Sequence, residues 1–296
     1  MSNLWKKFGL CCIPFILGTV NGGESGFVVD NHTSIATVRA KNLRFLSRFK
    51  SKFSWQDYIN IIDELSNKDR YQVVTARDYA AGNYRKDRIV VMLRHDFDNA
   101  PFHGLQMAKE EAKRGISSSY YILHGATAYY GTKKKGVVTR YAALDPLYKE
   151  IYDLGHEVGV HSDLLTLMIL FDIDPVKFQA AELAHWKKIG VNITGTVCHG
   201  SVINSMGLNN TWLFAEHKRS GEYTYKGKTY KYGHMSHKDF GFDYEGYLLK
   251  YTHRLSDIGK YDGKELLRRL KEDCKTGDTV SILTHPIHWR EGSDIK

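Results

Sequence analysis

Two aspartates and three histidines stand in this chain where strand-like apolar runs end. Asp96 and Asp98 belong to Arg94-His95-Asp96-Phe97-Asp98, which follows Ile89-Val90-Val91-Met92-Leu93. His161 falls within the stretch 156–163, His199 within Cys198-His199-Gly200 after 193–197, and His285 within Thr284-His285-Pro286 after 280–283. Carboxylates two residues apart repel each other unless a cation or a proton lies between them, and Arg94 is the one nearby residue that could neutralise them instead. Imidazole nitrogens and carboxylate oxygens are the ligands of zinc-like divalent ions, and a catalytic ion keeps a position open for water. The set reads as a divalent-metal hydrolase site.

For these groups to meet, the runs that carry them must lie side by side with their carboxyl ends on one face, as in an α/β barrel or an open α/β sheet. The spacing predicts a helix over 102–113 closed by Gly115, a strand over 119–123, and a helix opened by Asp145-Pro146 and closed by Gly155. Asp174-Pro175 and Gly190 repeat that punctuation: Asp before a first-turn Pro starts a helix, and Gly just past the last turn stops it. Strands alternating with helices of this length imply right-handed crossovers and a parallel sheet. Residues 23–87, polar and basic with helical spacing over 55–65, read as an N-terminal extension packed on a main domain at 88–290. Between 201 and 247 the rhythm loosens, with Tyr223, Tyr225, Tyr230 and Tyr232 alternating as in a hairpin, and this irregular segment is the natural wall for a substrate. Order returns at 251–257, with a helix over 264–274 and a strand over 279–284.

A hydrophobic content of 42% and an aromatic content of 12% exclude disordered and fibrous classes. The formal charge of +9 attracts polyanions in general. Basic residues are nevertheless scattered, Lys133-Lys134-Lys135 reads as a solvated loop, and no nucleic-acid motif accompanies it, so no nucleic-acid partner is expected. Lys6-Lys7, the apolar stretch 8–20 and Asn21-Gly22-Gly23 fit a secretory signal over 1–22 better than a membrane span, which needs about 20 apolar residues. Export would place the mature chain outside the cell or in its envelope, and a retained N-terminus would leave it cytoplasmic. Cys11 and Cys12 would leave with the signal. Cys198 and Cys274 remain, as a disulfide or as two buried thiols.

Leu93-Arg94-His95-Asp96-Phe97-Asp98, Gly155-His156-Glu157-Val158-Gly159-Val160-His161, His199-Gly200-Ser201 and Ile282-Leu283-Thr284-His285-Pro286 resemble, in this order, the motifs of the polysaccharide deacetylase superfamily, carbohydrate esterase family four with its NodB-homology domain. The resemblance covers 88–289 and is closest to the divergent deacetylase-like branch. It implies a distorted, incomplete (β/α) barrel and a divalent metal, commonly zinc, that serves the removal of acetyl groups from sugars. It also implies Asp96 as general base, Asp98 and His161 as metal ligands, and His285 as general acid. The family's second histidine would stand four residues after His161, where this chain has Leu165. Another group must complete the site or the metal is lost. His199, ending the next strand, is the first choice and Asp163 the second.

In that chemistry, the metal acidifies water and polarises the acetyl carbonyl, Asp96 takes the water's proton, and His285 protonates the departing amine or alkoxide. Arg94 is expected to neutralise Asp96 or meet substrate, or else to lie outside the site altogether, and Trp289, with His288, to wall the pocket, since an aromatic face stacks on a sugar ring. His156 is expected to orient the site or cap the preceding helix, and His124 to be a satisfied loop residue. His103, His185, His217, His234, His237 and His253 show no convergence. The leading expectation is a metal-dependent N- or O-deacetylase of carbohydrate. The alternatives are hydrolysis of a non-sugar amide on the same barrel, or a glycan-binding domain without metal.

Overall fold

The computed structural model of the 296-residue chain describes residues 25–126, 131, 133–259 and 261–290; the expected signal at 1–22 lies outside them. In chain order the elements are β1 (Phe27–Asp30), α1 (Ile35–Leu46), α2 (Trp55–Leu65), β2 (Tyr71–Val74), α3 (Ala76–Ala80), β3 (Ile89–Phe97), α4 (Pro101–Lys113), β4 (Ser119–Leu123), β5 (Lys133–Lys134), β6 (Val137–Tyr141), α5 (Asp145–Asp153), β7 (Glu157–Ser162), α6 (Leu164–Phe171), α7 (Pro175–Lys188), β8 (Gly195–Cys198), β9 (Gly221–Tyr225), β10 (Lys228–Tyr232), β11 (Tyr244–Glu245), β12 (His253–Ser256), α8 (Gly263–Glu272) and β13 (Thr279–Thr284). Short 3-10 turns fill several of the connections.

Seven strands form the main sheet in the order β11-β8-β7-β4-β3-β13-β12, and β2 lies beside the first half of β3. Every neighbouring pair in it is parallel. The sheet curls into a half-barrel, an α/β arrangement compatible with an incomplete, distorted (β/α) barrel. One edge of β3 pairs with β2 through Met92 and then with β4 from Arg94 onward, while the other edge pairs with β13 along its whole length. Residues 27–87 therefore do more than pack on the sheet, because β2 is one of its strands. A separate sheet joins β1, β6 and β5, and β9 with β10 forms the hairpin read from the alternating tyrosines.

All nine residues of β3 are buried, and the two-residue period of a strand sorts them. Ile89, Val91 and Leu93 face a core shared with Tyr58, Ile61, Ile62 and Leu65 of α2 and Leu266 and Leu270 of α8. Val90 and Met92 face the hollow of the half-barrel, where Met92 meets Tyr121, Val197 and Tyr244. Arg94, Asp96 and Asp98 continue this inner face. Burying an aliphatic side chain stabilises by roughly 1.5–3 kcal/mol, so a one-residue slip that turned β3 over would expose its core face and bury its charges against it.

Glycines let the inner face close. A side chain at Gly159 would stand 2.6 Å from the Tyr121 ring and one at Gly195 would stand 2.0 Å from the Tyr244 ring. The two phenols thus lie over bare backbone, their hydroxyls 2.6 Å apart, and Tyr244 donates to Glu157 Oε1 at 2.6 Å. Helix starts follow the punctuation. Asp174 accepts from the N–H groups of Val176 and Lys177 ahead of α7. At α5 the position is as expected but the partners differ, since Asp145 makes no cap bond and instead accepts from Arg140 and meets His185 at 2.8 Å. Cys198 and Cys274 are both free, buried thiols.

Candidate metal centre

The same alternation carries four strand ends to one place. On β7, Glu157 and Gly159 face inward, and His161 continues that face. On β8, Gly195 and Val197 do so, followed by His199. On β13, Val280 and Ile282 face the helices, which turns the opposite parity, ending in His285, toward the hollow. Asp98, His161 and His199 consequently present ligand atoms that all lie within 4.8 Å of one another.

His161 is buried, and its Nδ1–H donates to the Val197 carbonyl at 2.8 Å. That bond fixes the ring and leaves Nε2 toward the carboxylates, 3.2 Å from Asp98 Oδ1 and 3.4 Å from Asp96 Oδ2. Burial alone would lower the His161 pKa, but Asp96 and Asp98 more than offset it and raise it above the ordinary imidazole value. Asp98 would likewise rise on burial, yet His199 and His161 hold it well below the carboxylate range. Its Oδ1 is buried and meets no donor other than His161 Nε2. A buried carboxylate with one imidazole near each oxygen fits a cation's donor set, and a divalent ion would supply positive charge in place of a proton on His161.

His199 borders the solvent side of the cluster. Its Nε2 is 4.0 Å from Asp98 Oδ2, and its Nδ1 is 3.5 Å from Asp163 Oδ1. Asp163, the other candidate for third ligand, stands behind it. One of its oxygens pairs with Lys133 at 2.8 Å and the other accepts from Asn210 at 2.9 Å, while its backbone N–H donates to His124 Nε2. An aspartate so engaged orients His199, as partners behind a ligand do. Lys133, expected in a solvated loop, is thus part of this support. Leu165 lies fully buried in α6, among other apolar side chains.

Two groups flank the cluster. Arg94 grips Asp96 through Nε at 2.7 Å and Nη2 at 2.5 Å. Burial would raise the Asp96 pKa, and Arg94 with His161 lowers it below its ordinary value. His285 Nε2 stands 3.9 Å from Asp98 Oδ2, and its Nδ1 lies 2.7 Å from Asp257 Oδ1. Against the effect of burial, Asp257 raises the His285 pKa to about 9, with Asp98 and Asp96 adding to it. Asp257 also accepts from the His285 backbone N–H at 2.6 Å and from Trp289 Nε1 at 3.0 Å. Asp257, His285 and His288 form a second group close enough to hold a cation. Its carboxylate is already met by three donors, so that group is accounted for as a hydrogen-bonded frame.

Three expectations are corrected here. Trp289 is fully buried, its ring 4.5 Å from Phe53 and 5.7 Å from Tyr58 between centroids, so no face is left for a sugar, and its indole N–H steadies Asp257 instead. Arg94 neutralises Asp96, as expected, but it is buried with its guanidinium against the faces of Tyr121 and Tyr247, so the expected contact with substrate is corrected. His156 neither orients the site nor caps a helix. It lies on the other side of the sheet, donating to the Ala108 carbonyl at 2.9 Å and accepting from the Ser118 N–H at 3.2 Å. His95 shares that side, 2.8 Å from Glu111 Oε1 and 2.6 Å from Thr284 Oγ1. His124 is satisfied, as expected, by Asp163 and Glu182. Sequence reasoning missed Asp257, because β12 reads His253-Arg254-Leu255-Ser256 and offers no apolar run for it to close.

A pocket of about 350 Å³ opens beside the cluster, lined by Cys198, His199, Gly200, Asn204, Asn209, Thr211, His217 and Tyr247. No helix among the described residues is long and apolar enough to cross a membrane. No family model, curated protein or solved structure matches the chain.

Proposed function

We propose that this chain is a metal-dependent hydrolase of the polysaccharide deacetylase type that removes N- or O-linked acetyl groups from a carbohydrate. One observation carries the reading: a buried Asp98 oxygen that meets no donor but His161 lies in one cluster with His161 and His199, at the ends of three parallel strands of one sheet. The order of the motifs along the chain and the curled parallel sheet support it.

Asp98, His161 and His199 would hold the cation, zinc by ligand type, which supplies Lewis acidity to water and to the acyl oxygen. Asp96 is the base: Arg94 fixes its plane and keeps it ionised, ready to accept a proton from the attacking water. The water oxygen forms a bond to the acetyl carbon, and the bond from that carbon to the sugar nitrogen or oxygen breaks. His285, kept protonated by Asp257, gives its Nε2 proton to the departing atom, so acetate and a free amine or hydroxyl result. His161 Nε2 lies near both Asp96 and Asp98, and His285 Nε2 lies 3.9 Å from Asp98, so base and acid border the same cluster.

The test is to load purified protein with zinc, measure bound metal, and follow acetate released from acetylated oligosaccharides. About one zinc per chain is expected, lost in His161→Ala, with activity abolished by a chelator and restored by zinc. Wild-type protein that binds no divalent metal, or metal retained in His161→Ala, overturns the assignment.

A further inference from the structure

The pocket beside His199 contains a histidine that the metal centre does not use. Glu245, at the end of β11, is fully buried, and its carboxylate accepts the N–H groups of Cys198 at 3.2 Å and Tyr247 at 3.0 Å. His217 Nε2 completes the set at 2.8 Å from Glu245 Oε2. Two backbone donors already satisfy that carboxylate, so it has no need of the imidazole. The reverse dependence explains the pair better: Glu245 accepts from His217 Nε2–H and so fixes the ring, with Nδ1 as its second polar atom. His217 lies outside both groups that could bind a cation.

The other walls add complementary groups. Asn204 and Asn209 turn their carbonyl oxygens to local partners, the Ser201 N–H and the N–H and hydroxyl of Thr211, which leaves their amide NH2 groups as donors. Tyr247 is 42% exposed, with its ring over Arg94, the one large aromatic surface that this pocket offers. No Lys, Arg, Asp or Glu lines it. Fixed acceptors, fixed donors, one aromatic face and no ionic side chain suit a neutral ring rich in hydroxyls rather than the polyanion that the net charge of the chain would attract.

We propose that this pocket is a subsite for one neutral sugar unit next to the unit being deacetylated, with His217 Nδ1 accepting from a ligand hydroxyl and Tyr247 covering a face of the ring. The assignment rests on carbohydrate as the substrate of the adjoining site and names where a second unit of it lies.

Calorimetric titration of a β-1,4-linked N-acetylglucosamine tetrasaccharide into zinc-loaded Asp96→Asn protein tests this without turnover. His217→Phe and Tyr247→Ala, each made in that background, should weaken binding about five- to tenfold, the effect of one neutral hydrogen bond or one ring contact. Bound zinc should stay unchanged. His217→Gln, whose amide oxygen can accept, should recover part of the loss and serves if the Phe variant does not fold. Equal affinity in all variants, or a preference for a uronate or sulfated oligosaccharide, overturns the subsite while leaving the metal centre intact. Binding that depends on His217 in a protein that neither holds zinc nor releases acetate keeps the subsite and removes the proposed reaction.

Discussion

Asp98 is the residue that the rest of the centre surrounds, since His161, His199 and His285 all point nitrogen atoms at its carboxylate. The two groups that flank it differ in how they can be separated by mutation. Asp96→Asn keeps the volume and removes the base, so turnover should fall by about a hundredfold or more with metal content unchanged, read by metal analysis beside acetate release. Asp257→Asn removes the negative charge that favours the His285 imidazolium. Its pKa, raised to about 9 by Asp257, should drop toward the ordinary imidazole value, and the alkaline fall in kcat/KM should move to lower pH. An alkaline limb that stays in place would exclude His285 as the proton donor. His285→Ala should in addition harm acetamido sugars far more than an activated aryl acetate, whose phenolate leaves without a proton.

Element by element, the strand that carries Asp96 has a second polar side. His95 points away from the site to Glu111 of α4, which also accepts from Tyr58, Ser118 and Tyr120. Burial opposes the Glu111 charge, but His95 and then His156 and Ser118 bring its pKa down to about 2 from an ordinary 4.5. A depressed carboxyl adds stability that is fully present above about pH 4.5 and disappears as pH falls toward 2. Glu111→Gln should therefore destabilise at neutral pH, on the order of 3 kcal/mol for a broken buried pair, with the gap to wild type closing below pH 4.5 in urea melts. A gap independent of pH would mean that packing, not charge, ties α4 to β3. Strands such as β3, β4 and β13 were legible because apolar runs end in polar residues, and α5 and α7 because Asp-Pro and Gly bracket them. The helix α6 was not, since Leu-Leu-Thr-Leu-Met-Ile-Leu-Phe is buried nearly all round and shows no period. Lys133 and the His217–Glu245 pair escaped for a different reason. Their partners are far away in sequence, and only the crossovers of the sheet bring them together.

For the whole molecule, one cation would join β3, β7 and the end of β8, so its binding energy should appear as stability. Zinc-loaded wild type should melt several degrees above the chelated protein, and His161→Ala should show no such difference, by calorimetry at fixed protein and metal concentration. The pairing of β13 with β3 has a further bearing, on time. The strand that seats His285 is inserted between β3 and the edge strand β12, yet it follows them both in the chain. During synthesis β3 must wait beside an open edge until β13 has left the ribosome, and a pairing so distant in sequence is slow to close. The nascent chain can gather Asp98, His161 and His199 early, and gains His285 last. A chaperone that shields the waiting edge of β3 would therefore act before His285 has joined the cluster.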